Sequence, residues 1–374
     1  MKVLVTGSDG FIGKNLCLEL KNKGYEVLKY DLDVPFEQLK EFVFIADYII
    51  HLAGINRPLS KEEFYEGNTD FSLKLINLIK ESKRIIPVIF SSSTQAELEN
   101  DYGKSKKQAE DLFFAFMEEN KNPVMTYRLA NVFGKWCRPN YNSVVATFCY
   151  NIANNLPIEI RDENYDVRLV YVDDVVKEFI KRINEPLVAL NKDIVEVYPI
   201  EVISLGELAK KIRDFKKIRE TFYTPKFESD FDRKLYATFL SYYPIDNFAY
   251  DLKMNVDNRG SFTEVIKTLA DGQVSVNISK PGITKGNHYH HSKNEKFIVV
   301  SGQCEIKFRK IGTKETFAYK VNGEKIQAVD IPPGYTHSIK NIGNTDSVTI
   351  MWASEVFDAD NPDTYYEEVE IDEQ

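Results

Sequence analysis

The sequence predicts an α/β chain: a doubly wound parallel sheet followed by an all-β barrel. Two observations carry this. Short β-rich runs alternate with helical periodicity over roughly the first 180 residues, the pattern of a parallel sheet covered on both faces. Beyond about residue 250 the strand-like runs are separated by Gly and Pro turns with no long helix between them, the pattern of a small antiparallel barrel. The 374 residues suit two domains, expected as 1–245 and 246–374.

In the first part, Lys2–Thr6 reads as a buried strand, Ile12–Lys23 as a helix, Tyr25–Tyr30 and Tyr48–Leu52 as strands, and Ser72–Ile79 as part of a helix. Ile85–Phe90 follows as a strand, Tyr102–Glu118 as a helix and Val124–Leu129 as a strand. Residues 225–250 are rich in aromatics and read as irregular but packed. Strands are then expected at Val274–Ile278, Lys296–Val300, Cys304–Arg309, Thr316–Val321, Lys325–Ile331 and Ser347–Trp352.

Composition excludes several classes. Twenty-four Phe and 21 Tyr supply ample surface to bury, so global disorder is excluded. No apolar run reaches the length of a membrane helix. Met1-Lys2 leads directly into Val3-Leu4-Val5, so no secretory leader is expected. Cys17, Cys137, Cys149 and Cys304 lack pairing or metal spacing, and free thiols in the cytoplasm are expected. With 48 basic and 57 acidic residues, the net charge of −9 argues against a nucleic-acid partner. The acidic run Glu367–Glu373 reads as a solvated terminus.

Two groups of residues carry chemistry. The first opens at Gly7-Ser8-Asp9-Gly10-Phe11-Ile12-Gly13, between strand and helix. Its glycines allow a tight turn, and the unpaired N–H groups at the start of the helix suit a pyrophosphate. Asp31, at the end of the second strand, can accept hydrogen bonds from an adenosine ribose; its charge repels a 2′-phosphate and favours NADH. Tyr102 and Lys106 are one helical turn apart, and the ammonium is expected to lower the phenol's pKa toward the range useful for proton transfer. Ser91–Thr94 ends the preceding strand, where a hydroxyl can reach a substrate carbonyl.

These residues, with His51-Leu52-Ala53-Gly54, Asn68, Arg128–Gly134 and Tyr171–Val175, resemble an extended short-chain dehydrogenase/reductase acting on a nucleotide sugar. The resemblance implies Tyr102 as proton donor, Lys106 as the residue holding the nicotinamide ribose, and Ser93, with Thr94 as rival, orienting the carbonyl. It also implies cofactor contacts at Gly7, Gly10, Phe11, Ile12, Gly13, Asp31 and Ala53. The sequence departs from the family at one place: Val167 stands where a diphosphate-binding arginine is usual, and Arg168, one step along the strand, faces the other way. His51, Asn68 and Asn131 also have structural readings, as buried polar groups satisfied by backbone.

The second group is a run of histidines. Of five in the chain, four lie between His288 and His337. The spacing Gly282, His288-Tyr289-His290, Glu295, Gly302 resembles the first cupin motif, and Pro332–Asn341 the second, without its leading glycine. Alternate strand residues share a face, so His288 and His290 can point inward and meet Glu295 and His337. Three imidazoles and a carboxylate suit one borderline divalent ion, Zn2+ being the expected one. His291 points away on a regular strand and replaces His288 on a bulged one. Tyr289 and Lys296 read as packing and surface residues.

Over nearly its whole length the chain resembles the CapF (WbjC-like) family of capsular polysaccharide biosynthesis enzymes, most specifically at 134–143, 254–264 and 272–295. The resemblance implies a bifunctional enzyme on the route to UDP-N-acetyl-L-fucosamine, using NADPH or NADH. Its cupin half epimerises C3 of a UDP-linked 4-keto-6-deoxy amino sugar, and its reductase half then reduces the C4 ketone. The alternative is a single-activity reductase or epimerase whose cupin only binds sugar or dimerises. A homodimer is expected, since such barrels usually bury an edge against a partner.

Overall fold

A computed structural model describes residues 1–185, 193–360 and 362–371. The chain falls into two compact units. The first comprises Met1–Arg213 with Ser229–Pro244; the second comprises Asp214–Glu228 and the chain from Ile245 onward. The short segment 214–228 joins the second unit through backbone bonds: Lys267 N–H donates to Phe222 O and Thr224 N–H to Lys267 O, both at 2.8 Å.

The first unit starts with β1 (Lys2–Thr6), α1 (Phe11–Asn22), β2 (Glu26–Tyr30), α2 (Phe36–Ile45) and β3 (Tyr48–His51). A short helix α3 (Glu62–Phe64) widens through Tyr65–Asp70 into α4 (Phe71–Ser82); β4 (Val88–Ser93), α5 (Asp101–Asn120) and β5 (Val124–Leu129) follow. Then come β6 (Asn131–Phe133), α6 (Val144–Ala153), β7 (Asp166–Tyr171), α7 (Val172–Asn184), β8 (Ile194–Val195), β9 (Glu201–Ser204), α8 (Leu205–Thr221), which is counted with the second unit from Asp214 on, and α9 (Asp230–Leu240).

The main sheet is parallel, in the order β2-β1-β3-β4-β5-β8. Its strands are apolar on both faces because both are covered. Leu4, Ile49, Val88 and Phe90 pack with α2, α4 and α5. Val3, Val5, Ile50 and Ile89 pack with α1 and α7. Strand order reverses at β1, which has β2 on one side and β3 on the other, so the loop after β1 opens at a topological switch point. A second small sheet has the order β6-β7-β9.

The stretch read as irregular holds helix α9. Ser229 Oγ accepts from Asp232 N, while Asp232 Oδ2 accepts from Ser229 N. That reciprocal cap starts the helix, and Phe231, Leu235 and Phe239 bury one face of it.

The second unit is antiparallel. Its strands are β10 (Met254–Asp257), β11 (Gly260–Lys267), β12 (Gln273–Ser279), β13 (Thr284–Tyr289), β14 (Glu295–Ser301) and β15 (Gln303–Lys310). They continue with β16 (Thr316–Asn322), β17 (Ala328–Ile331), β18 (Tyr335–Asn341), β19 (Ser347–Ala353) and β20 (Tyr365–Tyr366). One sheet runs β10-β11-β12-β19-β14-β17 and the other β16-β15-β18-β13-β20. Phe297, Val299 and Val329 of the first share one core with Ile306, Phe308 and Ile339 of the second.

The acidic tail is solvated only in part: among its described residues Glu368, Glu370 and Ile371 are exposed, but its main chain is tied to the antiparallel unit, and Asp372 and Glu373 lie outside the described residues. Val369 is buried, and the fully buried Arg309 guanidinium donates to the main-chain oxygens of Glu368 and Val369 and to Glu367 Oε1. Thr336 Oγ1 donates to Glu367 O. A buried cation needs acceptors, and the tail supplies them. Among the described residues, no helix is long and apolar enough to cross a membrane.

Candidate functional site

The first site lies at the carboxyl ends of β1, β3 and β4. Gly7 has φ +70°, and a Cβ there would stand 2.7 Å from Ala53 N, so the turn requires glycine. At Gly13 a Cβ would stand 2.1 Å from Gly7 O, so the helix packs directly on the loop. Helix α1 begins at Phe11 and Ile12, with Gly10 as a cap that offers no side chain and no acid in the first turn. Its leading N–H groups are therefore open to an anion. Asp31 holds the loop shut: its carboxylate accepts from Asp9 N at 2.7 Å and from Leu32 N at 2.9 Å.

Helix α5 carries Tyr102 and Lys106. The cap Asn100 Oδ1 accepts from Gly103 N at 2.7 Å and fixes the first turn. Lys106 is buried; its Nζ donates to Ser91 O at 3.0 Å and lies 5.3 Å from the Phe90 ring centroid. Gly54 makes room for it, since a Cβ there would stand 3.0 Å from Lys106 Nζ and 2.6 Å from Asn68 Oδ1. Burial lowers the Lys106 pKa to about 8 against the opposing pull of Glu110.

The serine run splits its duties by alternation. Ser92 Oγ donates to the buried Glu110 at 2.6 Å, while the Ser93 hydroxyl acts on Tyr102, pulling its pKa down in part. Burial nonetheless raises the Tyr102 pKa. The expected lowering by Lys106 does not set the Tyr102 shift: desolvation raises it, and the Lys106 ammonium donates instead to Ser91 O.

His51 and Asn68 have structural partners. The His51 ring nitrogens bridge Thr6 Oγ1 (2.7 Å) and Ser72 Oγ (3.0 Å), and burial lowers its pKa to about 3. Asn68 clips Ile55 N, Ile55 O and Ser105 Oγ. Asn131 Nδ2 donates to Arg168 O. Sequence reasoning passed over Glu110, buried and paired in bidentate fashion with Arg128 at 2.8 and 2.7 Å.

The second site lies inside the antiparallel unit. His288, His290, Glu295 and His337 each offer one ligand atom, all within 4.8 Å of one another. The His288 and His337 rings are 4.6 Å apart, and Glu295 Oε2 is 3.3 Å from Nε2 of both His290 and His337. A bulge between Gly286 and His288, with Asn287 at φ +59°, turns His288 toward His337. His291 stays outside, its ring 4.5 Å from Tyr365.

His290 Nδ1 is 2.6 Å from Asp363 O. A carbonyl only accepts, so Nδ1 carries the proton and the Nε2 lone pair faces the cluster. His290 Nε2, Glu295 Oε2 and both His337 ring nitrogens are buried without hydrogen-bond partners among the described residues. Such orphaned atoms are costly unless something binds them. Burial lowers the His288 pKa to about 4. Glu295 is held well below the usual carboxylate range by His290 and His337, which overcome its burial.

Asp363 is the second residue that sequence reasoning missed. Its carboxylate accepts from the backbone N–H of His291, Ser292 and Lys293 and from Ser292 Oγ, at 2.8–2.9 Å. It thereby shapes the turn that follows His290.

A profile of the NAD dependent epimerase/dehydratase family matches residues 3–197, and one of the polysaccharide biosynthesis C-terminal domain matches residues 255–365. The chain is 45% identical over 366 residues to the Pseudomonas aeruginosa UDP-2-acetamido-2,6-beta-L-arabino-hexul-4-ose reductase, covering 98% of each. It is 47% identical to the capsular polysaccharide assembling protein CapF of Staphylococcus aureus, whose crystal structure superposes with a TM-score of 0.93 over 99% of this chain and 100% of that one. A more distant relative is the CDP-abequose synthase of Salmonella muenchen, 27% identical over 239 residues, 57% of this chain and 80% of that protein.

Proposed function

The chain belongs to the NAD-dependent epimerase/dehydratase family and is CapF-like, a nucleotide-sugar reductase/epimerase of capsular polysaccharide biosynthesis, for which we propose two consecutive activities. The antiparallel unit, read as a cupin, epimerises C3 of a UDP-2-acetamido-2,6-dideoxy-4-hexulose. The parallel-sheet unit then reduces the C4 ketone, giving UDP-2-acetamido-2,6-dideoxy-L-talose on the route to UDP-N-acetyl-L-fucosamine. The observation that carries this reading is the convergence of three imidazoles and one carboxylate, with buried unpartnered atoms, on a chain that also brings Ser93 to Tyr102.

In the reductase unit the glycine loop and the start of α1 take the dinucleotide pyrophosphate, and Lys106 takes the nicotinamide ribose. NADPH or NADH, when bound, supplies the hydride. Ser93 orients the ketone beside Tyr102. The raised pKa keeps the phenol protonated until the C4 oxygen becomes basic, and Tyr102 then gives up its proton.

In the cupin unit His288, His290, Glu295 and His337 would hold one divalent ion. The donor set of three nitrogens and one carboxylate oxygen fits Zn2+. The bound ion supplies Lewis acidity to the C4 ketone, which makes the C3 proton labile. Asp363 O fixes the His290 tautomer for this task. The protein is proposed to work as a homodimer.

The test uses the 4-keto sugar nucleotide in deuterated water without nicotinamide. Deuterium should enter C3 with the intact protein and not with His290→Ala. No exchange by the intact protein would reject epimerisation and leave a single-activity reductase.

A further inference from the structure

We propose that Arg57 and Arg138, both lying over the Tyr141 ring, form the clamp for the diphosphate of the nucleotide-sugar substrate; this rests on the nucleotide-sugar reading above. The Arg57 guanidinium carbon lies 5.7 Å from the Tyr141 ring centroid, and that of Arg138 lies 4.9 Å from it. Among the described residues neither has a carboxylate partner. Other arginines of the chain differ: Arg84, Arg128, Arg161, Arg168 and Arg182 each face an acid.

A nucleotide sugar brings two negative phosphates into the site, and some cation must meet them. The usual arginine position holds Val167, which is buried, and Arg168 is tied to both oxygens of Glu196 at 2.9 and 3.1 Å. Neither serves. A guanidinium beside an aromatic ring with no carboxylate partner keeps N–H donors for phosphate oxygens, which it matches in pairs. Two such groups on one ring give a doubly positive site suited to a diphosphate.

The chain places this pair beside the reacting groups. Arg57 follows Gly54 and Ile55, which touch Lys106 and Asn68. Arg138 follows Lys135, whose main-chain oxygen accepts from Asn15 Nδ2 of α1 at 3.4 Å. One arginine is thus tethered to the catalytic helix and the other to the helix that opens at the glycine loop. Both are exposed and Tyr141 is half-buried, as a substrate-facing clamp requires.

The test measures binding of UDP and of uridine to the full-length protein, with NADP+ saturating, for the wild type, Arg57→Gln and Arg138→Gln. Each substitution should weaken UDP roughly tenfold to a hundredfold, the usual range for a lost charge-assisted contact, and leave uridine unchanged. Unchanged NADP+ affinity shows that the variants fold. Wild-type UDP affinity in both variants, or an equal loss for UDP and uridine, overturns the clamp alone. A wild-type protein that does not prefer UDP to uridine overturns the clamp together with the nucleotide-sugar reading.

Discussion

Asp363→Ala tests the second site without touching any of its four proposed ligands. The substitution removes three backbone acceptor bonds, to His291, Ser292 and Lys293, but leaves the main-chain oxygen that accepts from His290 Nδ1. Each bond contributes about 0.5–1.5 kcal/mol net. Asp363 is half-exposed and water replaces part of the loss, so about 2 kcal/mol is expected for the three together. If the turn holds the Asp363 oxygen against His290, that figure appears as metal affinity, roughly thirtyfold weaker, inside the range usual for residues that support a ligand. The assay is Zn2+ competition against a chelator of known affinity, alongside the melting temperature of the metal-free protein. Asp363→Asn, which keeps one acceptor oxygen, should fall between. Zn2+ affinity within about threefold of wild type in the Ala variant would refute the reasoning, since His290 would then be held without the turn that Asp363 shapes.

Tyr102→Phe should lower reductive turnover by about two to four orders of magnitude, the usual worth of a positioned acid, while NADPH affinity by fluorescence titration stays unchanged. Gly13→Ala places a methyl 2.1 Å from Gly7 O and should abolish dinucleotide binding, read by the same titration. Lys106, with its pKa lowered to about 8, loses its charge as pH rises through that value, so NADPH affinity should fall above pH 8. His51, lowered to about 3, stays neutral where the unfolded histidine is protonated. The unfolded state thus binds more protons between about pH 3 and 6.5, and acidification to pH 5 should cost about 2 kcal/mol from this residue, read by urea titration across pH.

What the sequence disclosed divides by range. Gly7, Gly10 and Gly13, Tyr102 and Lys106, and His288 and His290 announce themselves because each set lies within one turn, one helix face or one strand, where spacing alone fixes direction. The apolar strands of the parallel sheet are legible for the same reason. Asp363 was not, because 73 residues separate it from His290 and only the folded antiparallel unit closes that gap. The acidic tail misled because charge in a run implies solvent, whereas here main-chain oxygens, not carboxylates alone, satisfy Arg309. Helix α9 was hidden by its aromatics, although Ser229 and Asp232 carry a readable cap. The Tyr102 pKa goes the other way because helical spacing discloses the neighbouring Lys106 but not the burial that desolvates the phenol.

Under the proposed chemistry the order of the two steps is fixed by the substrate's own carbonyl. The C3 proton is labile only while C4 is a ketone, since its loss needs the adjacent oxygen to accept the electron pair. Once Tyr102 has protonated that oxygen and hydride has reached C4, the C3 centre is inert. Epimerisation must therefore precede reduction, and a reductase that outran the cupin would trap the unepimerised sugar. A variant with the metal cluster disabled and Tyr102 intact, such as His290→Ala, should accordingly still consume NADPH but yield the C3-unepimerised alcohol, distinguishable by NMR coupling constants at C3 and C4. Formation of the L-talose product by that variant would place the C3 chemistry outside the cluster of His288, His290, Glu295 and His337.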